Sequence, residues 1–267
     1  MRSRLDKLLV ERGLVATRER AQALILAGRV LVHEQKVEKA GANVESGAVI
    51  RMLGDDLPFV SRGGLKLARA LEYWHIDVHG KTCMDVGAST GGFTDCLLQN
   101  GAAKVIAIDT GYGQMDATLR NDSRVRLLEK TNARYLTPEQ IWPDSAEVGP
   151  VSFVAMDVSF ISATLVLPAV LRCVLSSSPP DGFDVVVLVK PQFEVGRNQV
   201  GKGGIVRDPE AQQMAVLRVK EAVIKLGGIA TEAIDSPILG AEGNREFLLH
   251  ARFASCGVTL TSPLIEP

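Results

Sequence analysis

The chain has 267 residues, 23% of them charged, and a formal net charge of −1, which is length enough for one large domain, or one large and one small, with a core that needs no staples. The near-neutral balance names no partner, and Cys83, Cys96, Cys173 and Cys256 show neither C-x-x-C spacing nor pairing with histidine. A zinc site or disulfide framework is therefore not expected, and reduced thiols in the cytoplasm are.

Charge is concentrated at the start. Among the first thirty residues Arg2, Arg4, Lys7, Arg12, Arg18, Arg20 and Arg29 face only Asp6, Glu11 and Glu19, so this end suits a polyanion. Leu5, Leu8 and Leu9, then Ala21, Leu24 and Ile25, fall at helical spacing, with Gly13 between the two groups and Thr17 as the N-cap of the second. Gly28 stops that second helix. "RVLVHEQKVEKA" and "AVIRML" read as three short strands, so residues 1–60 are expected to form a small α+β domain and its linker, closing at "GDDLPF". "HEQK" stands where an Asn-Gly type of turn is commoner.

From residue 61 to 267 helices alternate with apolar, β-branched runs: "KTCMDVGA", "KVIAIDT", "VRLLEKT", "VSFVAMDVS", "DVVVLVKP", "GIATEAIDS" and "EFLLHARF". The alternation predicts a doubly wound, mostly parallel sheet with helices on both faces. The most membrane-like run, "ISATLVLPAVLRCVL", is interrupted by Pro168 and Arg172 and falls short of ~20 residues, so neither a spanning segment nor an export signal is expected.

"DVGASTGGFT" at 85–94 matches two chemistries. Gly87, Ser89 and Gly91 fit the G-x-S-x-G elbow of serine hydrolases, but a triad then needs an acid and a histidine later in the chain. Only His250 follows, inside an apolar strand. A cofactor loop fits better: Gly87, Gly91 and Gly92 allow a tight turn and close approach to a ligand, and Asp109 ends the next strand where a carboxylate can take ribose hydroxyls. That much does not separate a dinucleotide from S-adenosylmethionine. Asp85 at the head of the loop repels a pyrophosphate but suits an ammonium and a sulfonium, which points to S-adenosylmethionine. Asn132, after the third strand, is either an adenine contact or a turn former.

Over nearly its full length the chain resembles the hemolysin-A-like (TlyA) family of ribosomal RNA 2′-O-methyltransferases, in which an S-four-type RNA-binding domain precedes an FtsJ-like methyltransferase domain. "RLDKLLVERGLVATRERAQALILAGRVLV" carries the first likeness. "FVSRGGLKL", "DVGASTGGFT", "MDVSFIS", "LVKPQFE", "GKGGIVRDP" and "GNREFLL" carry the second. The resemblance implies an α/β, Rossmann-like class I methyltransferase fold whose last strand runs antiparallel, and the reaction implied is 2′-O-methylation of ribosomal RNA cytidines with S-adenosylmethionine. It also implies a catalytic tetrad, Lys66, Asp157, Lys190 and Glu246, with Asp157 also on the cofactor side.

A ribose 2′-hydroxyl is a poor nucleophile and a sulfonium methyl a good electrophile, so catalysis here is alignment plus removal of one proton. No metal is called for, and Lys190 is the candidate base. Residues 190–209 are glycine-rich and basic and are expected to form a mobile loop over the RNA, with Phe193 near a base and Arg197, Lys202 and Arg207 near phosphates. Arg4, Arg18, Arg20 and Arg29 of the small domain would supply further phosphate contacts. Ribosomal RNA or ribosomal subunits are thus the expected partners. The competing readings are a membrane-active hemolysin, a catalytically inactive RNA-binding module and a pseudouridine synthase; the first lacks an apolar spanning element, and the last has no use for the cofactor loop.

Overall fold

The computed structural model describes residues 2–15, 17–53, 57–142, 149–177, 179–240 and 243–255. The chain divides into two compact units, Met1–Leu57 and Pro58–Pro267. Cys256 and the first half of the "GDDLPF" linker lie outside the described residues.

The first unit runs β1 (Arg2–Arg4), α1 (Leu5–Glu11), α2 (Arg18–Leu26), β2 (Val30–Val32), β3 (Gln35–Lys36), β4 (Asn43–Glu45) and β5 (Ile50–Met52). Leu5, Leu9, Ala21, Leu24 and Ile25 bury against Val30, as their spacing requires. Thr17 caps α2 by accepting the Arg20 N–H, and Gly28 leaves the helix at φ +66. The three expected strands form the sheet β3-β2-β5. The antiparallel pair β1–β4 was not expected, because Arg-Ser-Arg shows no apolar alternation. The β2–β3 hairpin turns through His33 and Glu34, at φ 51 and 63, so both central residues are left-handed as in a type I′ turn despite the missing Asn-Gly.

Asp6 organises the unit's charge. Its fully buried carboxylate accepts bonds from Arg4, Arg18, Gln22 and the Lys7 N–H, all between 2.9 and 3.0 Å. Arg4 above all, with Gln22 and Arg18, holds the Asp6 carboxyl well below the usual carboxylate range. A carboxyl lowered on folding stabilises the fold above its ordinary value near pH 4, and the stabilisation is lost as pH falls from there through the folded value. Asp6→Asn is expected to weaken the unit by about 2 kcal/mol at pH 7 and to remove that acid dependence. Hydrogen exchange of the amides of residues 2–53 in the intact chain measures both effects.

The second unit contains α3 (Gly63–Tyr73), β6 (Thr82–Val86), α4 (Gly92–Gln99), β7 (Lys104–Ile108), α5 (Ala117–Arg120), β8 (Val125–Leu128), α6 (Pro138–Ile141), β9 (Val151–Met156), α7 (Ala163–Ser176), β10 (Phe183–Val189), α8 (Pro191–Glu194), α9 (Pro209–Lys225), β11 (Ile229–Asp235) and β12 (Phe247–Phe253). All seven predicted runs are strands of one sheet, ordered β11-β12-β10-β9-β6-β7-β8. β10, β9, β6, β7 and β8 pair in parallel, and β12 pairs antiparallel with β10 and β11.

The strands' two-residue period divides the core. Met84, Ile106, Val154, Val187 and Leu249 pack with α7 and α9 on one face. Cys83, Val105, Phe153, Val186 and Leu248 pack with α3 and α4 on the other. α7 continues through Pro168. The expected loop 190–209 is instead folded, into α8 and two 3₁₀ turns, Arg197–Gln199 and Lys202–Gly204. Asn244 ties it down, accepting the Val206 N–H at 3.0 Å and donating to the Gly204 carbonyl at 2.9 Å.

Candidate active site

Five parallel strands end on one edge of the sheet, and the chemistry-bearing residues follow those ends directly: Gly87 after β6, Asp109 after β7, Asp157 after β9 and Lys190 after β10. Glu246 precedes β12, and because that strand runs the other way it reaches the same edge. The glycine loop passes close to its neighbour. Gly87 sits at φ +91, and a Cβ there would lie 2.3 Å from the Asp157 carbonyl oxygen. Ser89 is left-handed at φ 49, a conformation unusual for a non-glycine residue and common at ligand sites.

Two hollows open on this loop and share Gly87, Ser89 and Asp157. The first, about 290 Å³, is lined also by Asp109, Gln114 and Asn132. Asp109 accepts the Ser89 N–H at 2.7 Å and the Gly111 N–H at 2.6 Å, which fixes its carboxylate while each oxygen keeps a further lone pair. Asn132 is a turn former, capping a 3₁₀ turn through the Arg134 N–H at 3.1 Å, and it also lines the hollow. The second hollow lies against Ser61, Gly63, Lys66, Gly92 and Phe93.

A third hollow contains Lys190, Phe193 and Glu246. Two ion pairs stand between it and the other two: Lys66 Nζ meets Glu246 Oε2 at 2.6 Å, and Lys190 Nζ meets Asp157 Oδ1 at 2.6 Å. In each pair one partner lines the glycine-loop side and the other the third hollow. Lys66, Lys190 and Glu246 are less than a tenth exposed, so each charge depends on its partner.

Asp85 is placed differently from the expectation. It falls on the same pleat face as Cys83, is wholly buried, and its Oδ2 accepts a hydrogen bond from the Thr94 hydroxyl of α4 at 2.7 Å. It lines none of the three hollows, so the argument that it faces a ligand's positive charge directly is corrected by the strand's register. Burial pushes its carboxyl up to about 7. A carboxyl raised on folding costs stability as pH climbs from its unfolded value near 4 to the folded one. Asp85→Asn is therefore expected to raise the melting temperature by several degrees at pH 8 and to change it little at pH 4, which scanning calorimetry at the two pH values reads. Gly91, at φ +96, also faces inward, where a Cβ would meet Leu119 at 2.4 Å.

No hydrolase triad forms. His250 Nε2 is 2.9 Å from Asp184 on the neighbouring strand, and Ser89 has its N–H on Asp109. Among the predicted RNA contacts, Arg197, Lys202 and Arg207 are exposed. Arg4 and Arg18 are half-exposed and already paired with Asp6, Arg29 donates to the Leu53 carbonyl at 3.0 Å, and Arg20 lies half-buried on the first turn of α2.

Three residues were missed. Ser159 accepts from Lys190 Nζ at 2.7 Å. Phe160 is 93% exposed at φ 65, its ring 5.5 Å from that of Phe193. Glu194, buried, takes the Ser162 hydroxyl and the Ala163 N–H, and burial raises its carboxyl above the usual range despite those donors. Position in the motifs was the available signal: Ser159 and Phe160 follow Asp157 in "MDVSF", and Glu194 ends "KPQFE".

Residues 59–253 match the model of the FtsJ-like methyltransferase family, and residues 3–50 match that of the S4 domain. The chain is 45% identical to the 16S/23S rRNA (cytidine-2′-O)-methyltransferase TlyA of Mycobacterium tuberculosis, over 94% of this chain and 90% of the relative. It is 38% identical to Hemolysin A of Brachyspira hyodysenteriae, over 92% of this chain and 98% of that one. A solved structure from Streptococcus thermophilus, named for hemolysin, superposes with a TM-score of 0.70 at 41% identity, covering 95% of this chain and 89% of its own. Among the described residues no helix is long and apolar enough to cross a membrane.

Proposed function

Because the chain belongs to the FtsJ-like methyltransferase family and carries an S4 domain ahead of that unit, we propose that it methylates the 2′-oxygen of cytidines in ribosomal RNA, with S-adenosylmethionine as donor. The observation that carries the reading is the pair of buried ion pairs, Lys66–Glu246 and Asp157–Lys190, set between the glycine-loop hollows and a third hollow. The arrangement offers a donor place and an acceptor place with an amine between them. The activity for which the Mycobacterium tuberculosis relative is named supports the choice of ribosomal RNA cytidine.

The residues fit the donor. Asp109 and Asn132 would hold its nucleoside end, and the hollow of Ser61, Gly92 and Phe93 its amino-acid end; the absence of a side chain at Gly87 keeps the junction open. When bound, S-adenosylmethionine supplies a sulfonium methyl, an electrophilic carbon. Lys190, its own ammonium proton first released to solvent, then accepts the proton of the ribose hydroxyl, Asp157 holds Lys190 in place, and Lys66 with Glu246 closes the partition. Residues 1–60 act as the RNA-binding domain and 61–267 as the transferase, with exposed Arg197, Lys202 and Arg207 on phosphates, and the reaction belongs in the cytoplasm where ribosomes assemble.

Phe160 and Phe193 provide a stacking surface beside the acceptor hollow. Base–aromatic stacking contributes about 1–3 kcal/mol, so Phe160→Ala is expected to raise the KM for RNA about tenfold, which steady-state kinetics measures. The function itself is tested by incubating the chain with ribosomal subunits and methyl-labelled donor, then digesting the RNA to nucleosides. Label in 2′-O-methylcytidine is the expected result, and label on a base, or none in either subunit, overturns the reading.

A further inference from the structure

Lys190 makes one contact that the tetrad does not explain. Besides the ion pair with Asp157 at 2.6 Å, Nζ donates to Ser159 Oγ at 2.7 Å. A lysine nitrogen is tetrahedral, with Cε in one direction and three others for hydrogens or a lone pair. Ser159 takes one of them by a hydrogen bond, while the Asp157 Oδ1 beside Nζ is an ion-pair partner and makes no hydrogen bond. Lys190 lines the third hollow, and Ser159 lines that hollow and the first one as well. Ser159 thus stands where donor side and acceptor side meet.

We propose that Ser159 is a positioning residue for methyl transfer: by taking one N–H of Lys190 while the Asp157 carboxylate stands 2.6 Å from Nζ, it turns the lone pair of Nζ toward the acceptor oxygen. This rests on the reading of Lys190 as the base. Lys190 enters the step as the neutral amine, its ammonium proton released to solvent beforehand, with the lone pair toward the acceptor. As the 2′-oxygen bonds to the methyl carbon, the carbon–sulfur bond breaks and its electron pair stays on sulfur. The hydroxyl proton ends on Nζ, and the resulting ammonium keeps one hydrogen on Ser159 and is balanced by the adjacent Asp157 carboxylate. Without the Ser159 acceptor the amine could rotate about Cε–Nζ, and the lone pair would leave the line of the proton.

The loop that carries Ser159 is itself anchored. Glu194, four residues after Lys190, binds Ser162 and Ala163, three and four residues after Ser159, so the turn bearing the amine and the loop bearing its acceptor are clasped together. Apart from its place in "MDVSF", the sequence gives this serine no role, since its type does not distinguish it from a turn former.

Steady-state kinetics on the full chain tests the inference. Ser159→Ala is expected to lower kcat about tenfold, with the KM for RNA and the calorimetric donor Kd within about twofold of wild type. Ser159→Thr, which keeps the hydroxyl, is expected to recover most of the loss. Ser159→Ala combined with Lys190→Ala is expected to be no slower than Lys190→Ala alone, because a residue acting through the amine has nothing left to position. Unchanged kcat, an effect confined to the KM for RNA, failure of threonine to rescue, or a further loss in the double variant each overturns the role. If Lys190→Ala itself turns over near the wild-type rate, the base assignment fails and this inference falls with it, an outcome distinct from the failure of Ser159 alone.

Discussion

Lys190→Ala is expected to slow methyl transfer about a thousandfold, within the range that removal of a general base costs, while leaving donor affinity near that of wild type. The separation follows from placement: Lys190 lines the third hollow and neither of the two formed on the glycine loop. The variant also leaves Asp157 without its 2.6 Å partner. Asp157 is more exposed than Lys190, with a fifth of its side chain open, so water can take up much of what the amine supplied. The expected cost in folding stability is therefore modest, about 1–2 kcal/mol. Single-turnover methylation and donor calorimetry on the same preparation read the two effects. Turnover close to wild type would remove Lys190 from the mechanism.

Gly87→Ala has the opposite profile, since its effect falls on the donor before any chemistry. A Cβ at this position would lie 2.3 Å from a backbone oxygen, that of Asp157, and the residue sits at φ +91, where a side chain is strained in any case. Neither the loop nor β9's end can yield without moving the other, because the Asp157 N–H donates to the Val86 carbonyl at 2.8 Å. About 3 kcal/mol of stability is expected to be lost, and donor affinity to fall about a hundredfold as the shared wall of the two hollows shifts. Gly80→Ala is the control. It has a similar φ of +70 but nothing within 4 Å of the added carbon, so it carries the backbone strain of about 1 kcal/mol and leaves the donor untouched. Thermal melts and calorimetry of the two variants separate strain from collision.

The sheet was legible because its central strands, β6, β9 and β10, are buried on both faces and therefore read as apolar runs bounded by turns. "VSFVAM" and "DVVVLV" leave little alternative once helices are seen between them. The carboxyl-edge position of Asp109, Asp157 and Lys190 followed from the same rule, since each directly succeeds its run. The pairing of Lys66 with Glu246, 180 residues away, came only through likeness to a family; no local pattern carries a contact of that range.

Other features were hidden for identifiable reasons. Asp85 has the right type and position for a ligand contact, but counting residues along β6 puts it on the Cys83 face, toward α4 and away from the crevice. The strand β1 pairs through backbone groups of an all-polar tripeptide, so its formation depends on the distant β4. Residues 190–209 read as a loop from glycine content, whereas Asn244, outside that segment, supplies the bonds that fold it. Arg4 and Arg18 read as free cations until the folded unit set Asp6 between them.

Calorimetric titration of S-adenosylmethionine into the intact chain tests most directly whether a methyl donor occupies the crevice at the sheet's carboxyl edge. Uptake at one site per chain, kept in Lys190→Ala and lost or strongly weakened in Gly87→Ala, is the predicted result. No binding to well-folded wild-type protein, either alone or with ribosomal subunits present, would contradict it.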